Sequence, residues 1–472
     1  MGDRSVAHTD NCPFMSARIT LTRLQTLILL AAIMAVITLA SRLPVTLNAL
    51  SLGLQAGFAC VATWRVFLLW TSRRWRPRQP AVPSTRQSAE WPRYTVVAAL
   101  YQETEVLPHL IERLAEIDYP ADRIEGFLVL EADDEATINL ARTLPRPDWL
   151  QVLVTPHETP KTKPRALNYA LTQATGDLIT IYDAEDDPDP LQLREAAGRF
   201  MIDDGTLACV QAPLRIRNRG KSRSPFLDRQ FAAEYAALFE ITLPAMTRLG
   251  LPFPLGGTSN HFRVPVLRSL GGWDPWNVTE DADLGFRIWR AGYRLGVIQR
   301  PTYEPPPGSL NLWLPQRTRW LKGYLQTLAV HTRSSRGMRW RGWAGLIATI
   351  VAGLVSAALH AICTAWILSL ALTSFASGRL PPFSIIGITV LISGVMAAWL
   401  MKRRGSRLAG VPYGIHDLLP SLGYWCLLSM AFCHAAVRLL LEPHHWDKTP
   451  HQAVATPDVI MIKDAESGRA AA

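Results

Sequence analysis

Apolar residues of this chain gather in blocks toward its two ends, and the long stretch between them carries no block that would cross a bilayer. A chain with that distribution places its ends in a membrane and folds its middle in water. Two N-terminal blocks, Leu24 to Ser41 and Leu47 to Trp70, each approach the roughly 20 residues that span a hydrocarbon core. They read as a helical hairpin. The first is not read as a cleaved signal, because a second span follows almost at once with no small-residue cleavage site between them. Three more blocks follow, Trp343 to Leu372, Phe383 to Met401 and Leu418 to Leu441, and none holds an acidic residue. Basic runs flank the blocks: Arg73-Arg74-Trp75-Arg76, Arg333 to Arg341, and Lys402 to Arg407. The excess of Lys and Arg on one side predicts that the middle faces the cytoplasm. Five spans would put the C-terminus outside, and the parity is left open.

The division predicted is a tail over 1–23, two transmembrane helices over 24–70 and a Pro-, Ser- and Arg-rich linker over 71–93. A soluble domain over 94–308 and an interface helix over 309–342 follow, then about three transmembrane helices over 343–441 and a tail over 442–472. The formal charge of +10 is mostly accounted for by arginines flanking the spans, so it gives no reason to infer a nucleic-acid partner. Six scattered cysteines form no CxxC pair and no metal-ligand spacing, and they read as small core hydrophobes.

From Tyr94 onward, short β-rich runs alternate with helical ones. Strands are expected at Tyr94 to Leu100, Gly126 to Leu130, Leu150 to Val154 and Asp177 to Tyr182. Helices are expected at Glu105 to Ile117, Glu135 to Thr143 and Ala166 to Ala174. Such alternation predicts an α/β domain with a mainly parallel sheet, whose ligands bind beyond the carboxyl ends of the strands. Asp133 and Asp183 each fall at or just past such an end.

Several motifs carry chemistry. Asp183 and Glu185, with Asp186 beside them, put carboxylates after the apolar run Leu178 to Tyr182. Hard oxygens in that arrangement suit Mg2+ or Mn2+, although an acidic, Pro-terminated turn would look the same. Asp133-Asp134 would cap a helix, as would Thr279 or Asp281 in Thr279-Glu280-Asp281. Lys163 lies just before the helix expected from Ala166, and a lysine and a helix start both favour phosphate. Gly256-Gly257-Thr258-Ser259-Asn260 is a turn or a loop of close backbone approach. Gln316, Arg319 and Trp320 share one face of a helix expected after Pro315. Leu314, Leu321, Leu325 and Leu328 form an apolar stripe suited to the membrane interface.

The order and spacing of these motifs resemble the D, DxD, TED, QxxRW series of the membrane-embedded family 2 glycosyltransferases, the group containing cellulose, chitin and hyaluronan synthases. The resemblance runs from Tyr94 to His451. It implies a GT-A-like domain inserted between transmembrane helices, and inverting transfer of a sugar from a nucleotide-sugar donor. By the same resemblance Asp281 is the catalytic base, and Tyr101, Glu103, Asp133, Lys163, Asp183 and Arg319 bind the donor. Gly257, Trp320 and Gln316 meet the acceptor, and Asp183 and Glu185 hold the cation. The expected product is a β-linked polysaccharide made at an inner membrane, with the bilayer as partner and any export subunit unknown. Single addition to a polyprenyl phosphate or lipid, or a silent receptor scaffold, are the alternatives.

The chain departs from the pattern in places. Glu185 replaces the usual second Asp, Ala99 stands where Pro is common, and no FxVTxK segment follows QxxRW. Arg403 and Arg407 have an RxxxR spacing without the accompanying (D/N)xSxxG. Trp446-Asp447-Lys448-Thr449-Pro450-His451 resembles a segment seen after the last span of many bacterial members.

Overall fold

The computed structural model describes residues 15–40, 43–73, 91–217, 223–378 and 385–445. Most of the linker, Cys12 and the segment Trp446 to His451 lie outside the described residues.

The middle of the chain is the expected α/β domain. Strands β1 (Tyr94–Leu100), β2 (Ile124–Glu131), β3 (Leu150–Thr155) and β4 (Leu178–Tyr182) alternate with helices α3 (Leu107–Ala115), α4 (Glu135–Thr143) and α5 (Lys163–Gln173). The sheet order is β3-β2-β1-β4-β8-β6-β9, adding β6 (Leu207–Gln211), β8 (Asn260–Arg263) and β9 (Arg294–Val297). The first four strands run parallel, and β8 is antiparallel to both β4 and β6. A smaller sheet orders β5 (Asp187–Pro188), β10 (Thr302–Glu304) and β7 (Leu214–Ile216).

Alternation along β1 divides the interior. Tyr94, Val96, Ala98 and Leu100 face a core built with Leu107, Leu110 and Leu114 of α3, whose spacing makes one helical face. Val97 points the other way, into a core shared with Ala166 and Ala170 of α5. This second core runs on without a break into the apolar helices, taking in Leu68, Leu354, Met401 and Tyr424.

All five apolar blocks are helical: α1 (Arg23–Ala40), α2 (Leu43–Arg73), α13 (Ala352–Ser377), α14 (Ile385–Ala409) and α15 (Leu418–Leu441). Among the described residues, four stretches are long and apolar enough to cross a membrane: Leu52–Ser72, Trp340–Ser377, Ile385–Ala409 and Ile415–Leu441. The first block yields only a shorter apolar helix, Arg23–Leu39. Helix α2 packs on α14, and α13 packs on α15. Helix α7 (Pro225–Ala237) carries the α/β domain onto α14, where Gly405 meets the backbone of Ala236.

The helix holding Gln316 to Trp320, α11 (Leu310–Thr332), differs from expectation in two ways. It begins five residues before Pro315 and carries that proline inside. Its leucine stripe is not turned to lipid: Leu321 is buried, and Leu314, Leu325 and Leu328 pack against the shared core. Apolar periodicity identifies a buried face but not what buries it, and here α10 (Glu280–Arg290) and α15 do so.

Candidate active site

Three parallel strands exit at one edge of the sheet, with Tyr101 directly after β1, Asp133 beyond Ala132 after β2, and Asp183 directly after β4. The loop before antiparallel β8, with Gly257, reaches the same edge. Gln211 holds this loop, accepting from Gly256 N at 2.7 Å and donating to the Thr258 carbonyl at 3.0 Å.

At one corner, Asp133 and Asp134 have divided their work. Asp134 is buried, caps α4 by accepting from Thr137 N at 3.3 Å, and accepts from Gln102 N at 2.5 Å. Asp133 is open to solvent and accepts from Lys161 Nζ at 2.5 Å. That hydrogen bond to the lysine holds the Asp133 carboxyl below its usual range. Lys161 also sits 3.8 Å from the centre of the Tyr101 ring. Glu103 lies behind Tyr101 and is buried, its carbonyl accepting from Leu107 N.

At the next corner Lys163, the first residue of α5, pairs with Asp183 Oδ1 and donates to the Gly257 carbonyl at 2.8 Å. Burial pushes this ammonium down, but the carboxylates of Asp183, Glu280 and Asp281 outweigh burial and leave it raised. Helix α5 is set in place from behind. Arg165 is buried against Glu131 and Thr155, and Asn168 exchanges hydrogen bonds with Trp273 at 2.7 and 2.9 Å. Asn168 is thus a clamp on the domain rather than a ligand group.

Asp183 and Glu185 are half-buried at this edge and offer the hard carboxylate oxygens expected of a cation site. Asp186 does not join them. It is fully buried, accepting from Asp183 N at 2.7 Å and from the Thr258 hydroxyl, so it shapes the turn that presents its neighbours. Among the described residues, no group of three or more His, Cys, Asp or Glu side chains is gathered to hold a metal. A two-carboxylate set is the kind that Mg2+ completes with phosphate oxygens and water.

Asp281 lies across from Asp183. A Cβ placed on Gly257 would stand 3.7 Å from Asp281 Oδ2 and 4.0 Å from Asp183 Oδ2. Thr279 makes no side-chain cap on α10, whereas the Asp281 carboxyl accepts from backbone N–H groups of the first turn. Burial raises the Asp281 carboxyl to about 6, against the pull of Lys163 and Arg319. Burial and the Asp281 charge raise neighbouring Glu280 to about 8. Two carboxyls side by side near cationic groups therefore divide into one that ionises readily and one that holds its proton at neutral pH.

Arg319 extends from α11 to act on both carboxyls. Trp320, on the next position, meets Tyr235 at 6.0 Å and Phe231 at 6.2 Å between ring centres. Gln316 has its Oε1 buried with no hydrogen-bond partner among the described residues. The expected face therefore forms, and it looks toward the acidic edge on one side and the apolar helices on the other.

Sequence reasoning missed three features. Lys161 covers Tyr101 through a loop whose course no periodicity reveals. Glu304, on β10, faces the acidic turn; burial and then Asp186, Glu185 and Asp183 push its carboxyl well up. Arg317 is buried beneath Trp320, 4.5 Å from its ring, and forms an ion pair with Glu234 at 2.9 Å. An acid in the middle of the mostly apolar segment Phe231 to Ile241 was the available signal for Glu234.

Known proteins are similar to this chain in sequence and in fold. The chain is 26% identical over 253 residues to beta-monoglucosyldiacylglycerol synthase of Synechocystis sp., covering 52% of this chain and 51% of that protein. It is 26% identical over 261 residues to cellulose synthase 1 catalytic subunit (UDP-forming) of Komagataeibacter xylinus, covering 53% and 33% respectively. The chain thus spans about half or less of the length of these curated relatives. Among solved structures, mannosyltransferase PcManGT of Pyrobaculum calidifontis, in complex with GDP-Man and Mn2+, superimposes with a TM-score of 0.54 at 20% identity, over 84% of this chain and 99% of that one. This likeness establishes the GT-A-like fold. Residues 92–323 match the family described as glycosyltransferase like family 2, and this domain, which contains every motif above from Tyr101 to Trp320, is a glycosyltransferase domain of that family.

Proposed function

We propose that the protein is an inverting glycosyltransferase of an inner membrane, with its α/β domain on the cytoplasmic side. It takes a sugar from a nucleotide-sugar donor and passes it in β-linkage to an acceptor arriving from the membrane side. The observation carrying this reading is the convergence of Asp281, Asp183, Lys163 and Arg319 around Gly257.

In this reading Tyr101 and Asp133 receive the base and ribose after Lys161 moves aside, and Glu103 backs the Tyr101 turn. Lys163 and Arg319 receive the diphosphate. Mg2+ or Mn2+ held by Asp183 and Glu185 would neutralise charge on the leaving diphosphate. Asp281 accepts the proton of the acceptor hydroxyl while that oxygen bonds to the anomeric carbon. The bond from that carbon to the diphosphate breaks on the opposite face, so configuration inverts. Trp320 and Gln316 face the acceptor, and Gly257 leaves it room.

A growing glycan is the acceptor that the ordered motifs favour, with polysaccharide as product. Single addition to a lipid is the second reading, favoured by the relative named for glucosyldiacylglycerol synthesis. The test is nucleoside-diphosphate release by detergent-purified protein from UDP-glucose, UDP-N-acetylglucosamine and GDP-mannose, with and without Mg2+ or Mn2+, beside Asp281→Asn. Metal-dependent release from one donor, lost in the variant, upholds the reading, and sizing the product separates polymer from single addition. Absence of release from every donor in the presence of membrane extract overturns it.

A further inference from the structure

The apolar helices are not uniformly apolar where they meet. Pair α2/α14 and pair α13/α15 face one another along a seam, and three basic side chains from three helices point toward it. Arg65 of α2 lies two turns along the same helix from Phe58, whose ring meets His360 of α13 at 6.3 Å. His360 also stacks on Trp425 of α15 at 4.9 Å. Lys402 of α14 is buried, 5.8 Å from that same Trp425 ring, and donates to Gln230 Oε1 at 3.0 Å. Arg65 and Lys402 are both electrostatic neighbours of His360.

Among the described residues, no carboxylate pairs directly with this group, although Glu234 and Asp417 act on Lys402 from a distance. Among the described residues, neither Arg65 nor Lys402 forms an ion pair. The two nearest acids on the α/β side are engaged elsewhere. Glu234 holds Arg317 and accepts from the Tyr424 hydroxyl at 2.6 Å, and Asp417 pairs with Arg229 at 2.8 Å. The Nδ1–H of His360 donates to the Ser356 carbonyl, one turn back, which leaves Nε2 as an acceptor for the hydroxyl of a singly protonated phosphate. Unpaired cations inside membrane-crossing helices are costly and mark a site for an anion.

Depth and position narrow the ligand. Arg65 and Lys402 each lie about two turns, roughly 10 Å of helix rise, from the end of the helix that joins the α/β domain. Lys402 also stands 5.1 Å from the ring of Tyr424, whose hydroxyl reaches the Glu234–Arg317 pair beneath Trp320. The seam therefore continues the acceptor side of the active site into the bilayer. A neutral growing glycan would leave these charges unmet, whereas a phosphate on an acyl or prenyl chain would meet them and leave the chain in apolar surroundings.

We infer that the seam lined by Arg65, His360, Lys402 and Trp425 binds the phosphate of a membrane lipid and presents that lipid as acceptor to the site at Asp281. The acceptor role rests on the second reading above, single addition to a lipid; the binding does not.

The full-length protein in neutral detergent is tested for retention of fluorescent phosphatidic acid and of a long-chain prenyl phosphate. Competitors are the unlabelled phosphate lipids, their alcohols (diacylglycerol and the prenol) and inorganic phosphate. Expected is competition by a phosphate lipid but not by its alcohol or by inorganic phosphate. Retention should weaken roughly ten- to a hundredfold in Arg65→Gln and in Lys402→Gln, and persist in Arg65→Lys. Equal competition by phosphate lipid and alcohol, competition by inorganic phosphate alone, or unchanged retention in both Gln variants overturns the proposal. Arg65→Lys shows that loss in Arg65→Gln is not misfolding. The parent protein separates the two readings: lipid retention with no sugar transfer from any donor sinks the transferase and leaves the seam standing, while nucleoside-diphosphate release without phosphate-lipid preference does the reverse.

Discussion

Gly323 of α11 lies against Thr279 so closely that a Cβ on the glycine would come 2.2 Å from the threonine Oγ1 and 2.4 Å from its Cγ2. This contact is where the helix carrying Gln316, Arg319 and Trp320 docks onto the motif carrying Asp281. In an isolated helix, Gly323→Ala would stabilise by about 1 kcal/mol through propensity. Here the methyl has no room, and the expected result is the opposite sign: a loss of about 1–3 kcal/mol, with Arg319 displaced from the carboxyls. Thermal denaturation and nucleoside-diphosphate release should both fall. A variant with raised melting temperature and full activity would show that α11 does not dock in this way.

The pair Glu280–Asp281 sets the pH response. Asp281, raised to about 6, must be ionised to accept a proton, so activity should fall as pH drops through about 6. Glu280, raised to about 8, is neutral at pH 7, so Glu280→Gln should keep most activity there, whereas Asp281→Asn should lose about 10²–10⁴-fold. For stability the sign is reversed. Carboxyls with folded values above their unfolded ones favour the folded state while protonated, and that contribution is lost as pH rises through about 6 and then about 8. A pH–rate profile and melting curves across that range check both signs.

Lys163 is held between Asp183 and the Gly257 carbonyl. Lys163→Met removes the cation that favours ionised Asp281, and leaves the acidic edge without its central ammonium. The variant should bind nucleoside diphosphate at least tenfold more weakly, by loss of a charge-assisted contact. It should also move the acid limb of the pH–rate profile upward. Titration calorimetry with UDP and GDP measures the first, and an unchanged affinity would remove Lys163 from the donor site.

Much of this was legible because it depends on local pattern. The bounds of β1 and α4 coincide with the runs Tyr94 to Leu100 and Glu135 to Thr143, where alternation and an Asp134 cap act within a few residues. Asp133 and Asp183 fall at strand ends because parallel strands put their exits on one edge. What was hidden depends on contacts made across the fold. Asp186 looks like a ligand in the sequence, but Thr258, from a loop seventy residues away, turns it inward. The leucines of α11 look lipid-facing until α10 and α15 cover them. Lys402 looks like a flanking charge, and only its burial against Gln230 and the α15 rings sets it apart.

Gly257 offers the cleanest separation of fold from function. A Cβ there meets Asp281 Oδ2 and Asp183 Oδ2 at ordinary contact distances of 3.7 and 4.0 Å, and no backbone atom blocks it. Gly257→Ala should therefore fold with a melting temperature close to that of the parent. Its methyl nevertheless stands in the space between Asp281, the proposed base, and the Asp183 turn proposed to face the diphosphate. A displacement of about 1 Å at such a point costs about 10²-fold in rate, so kcat/KM should fall by that order while UDP or GDP binding is retained. Gly257→Val should lose more activity at similar stability. Full activity in Gly257→Ala would place the reacting sugar elsewhere along the edge, toward Glu304 rather than between Asp183 and Asp281.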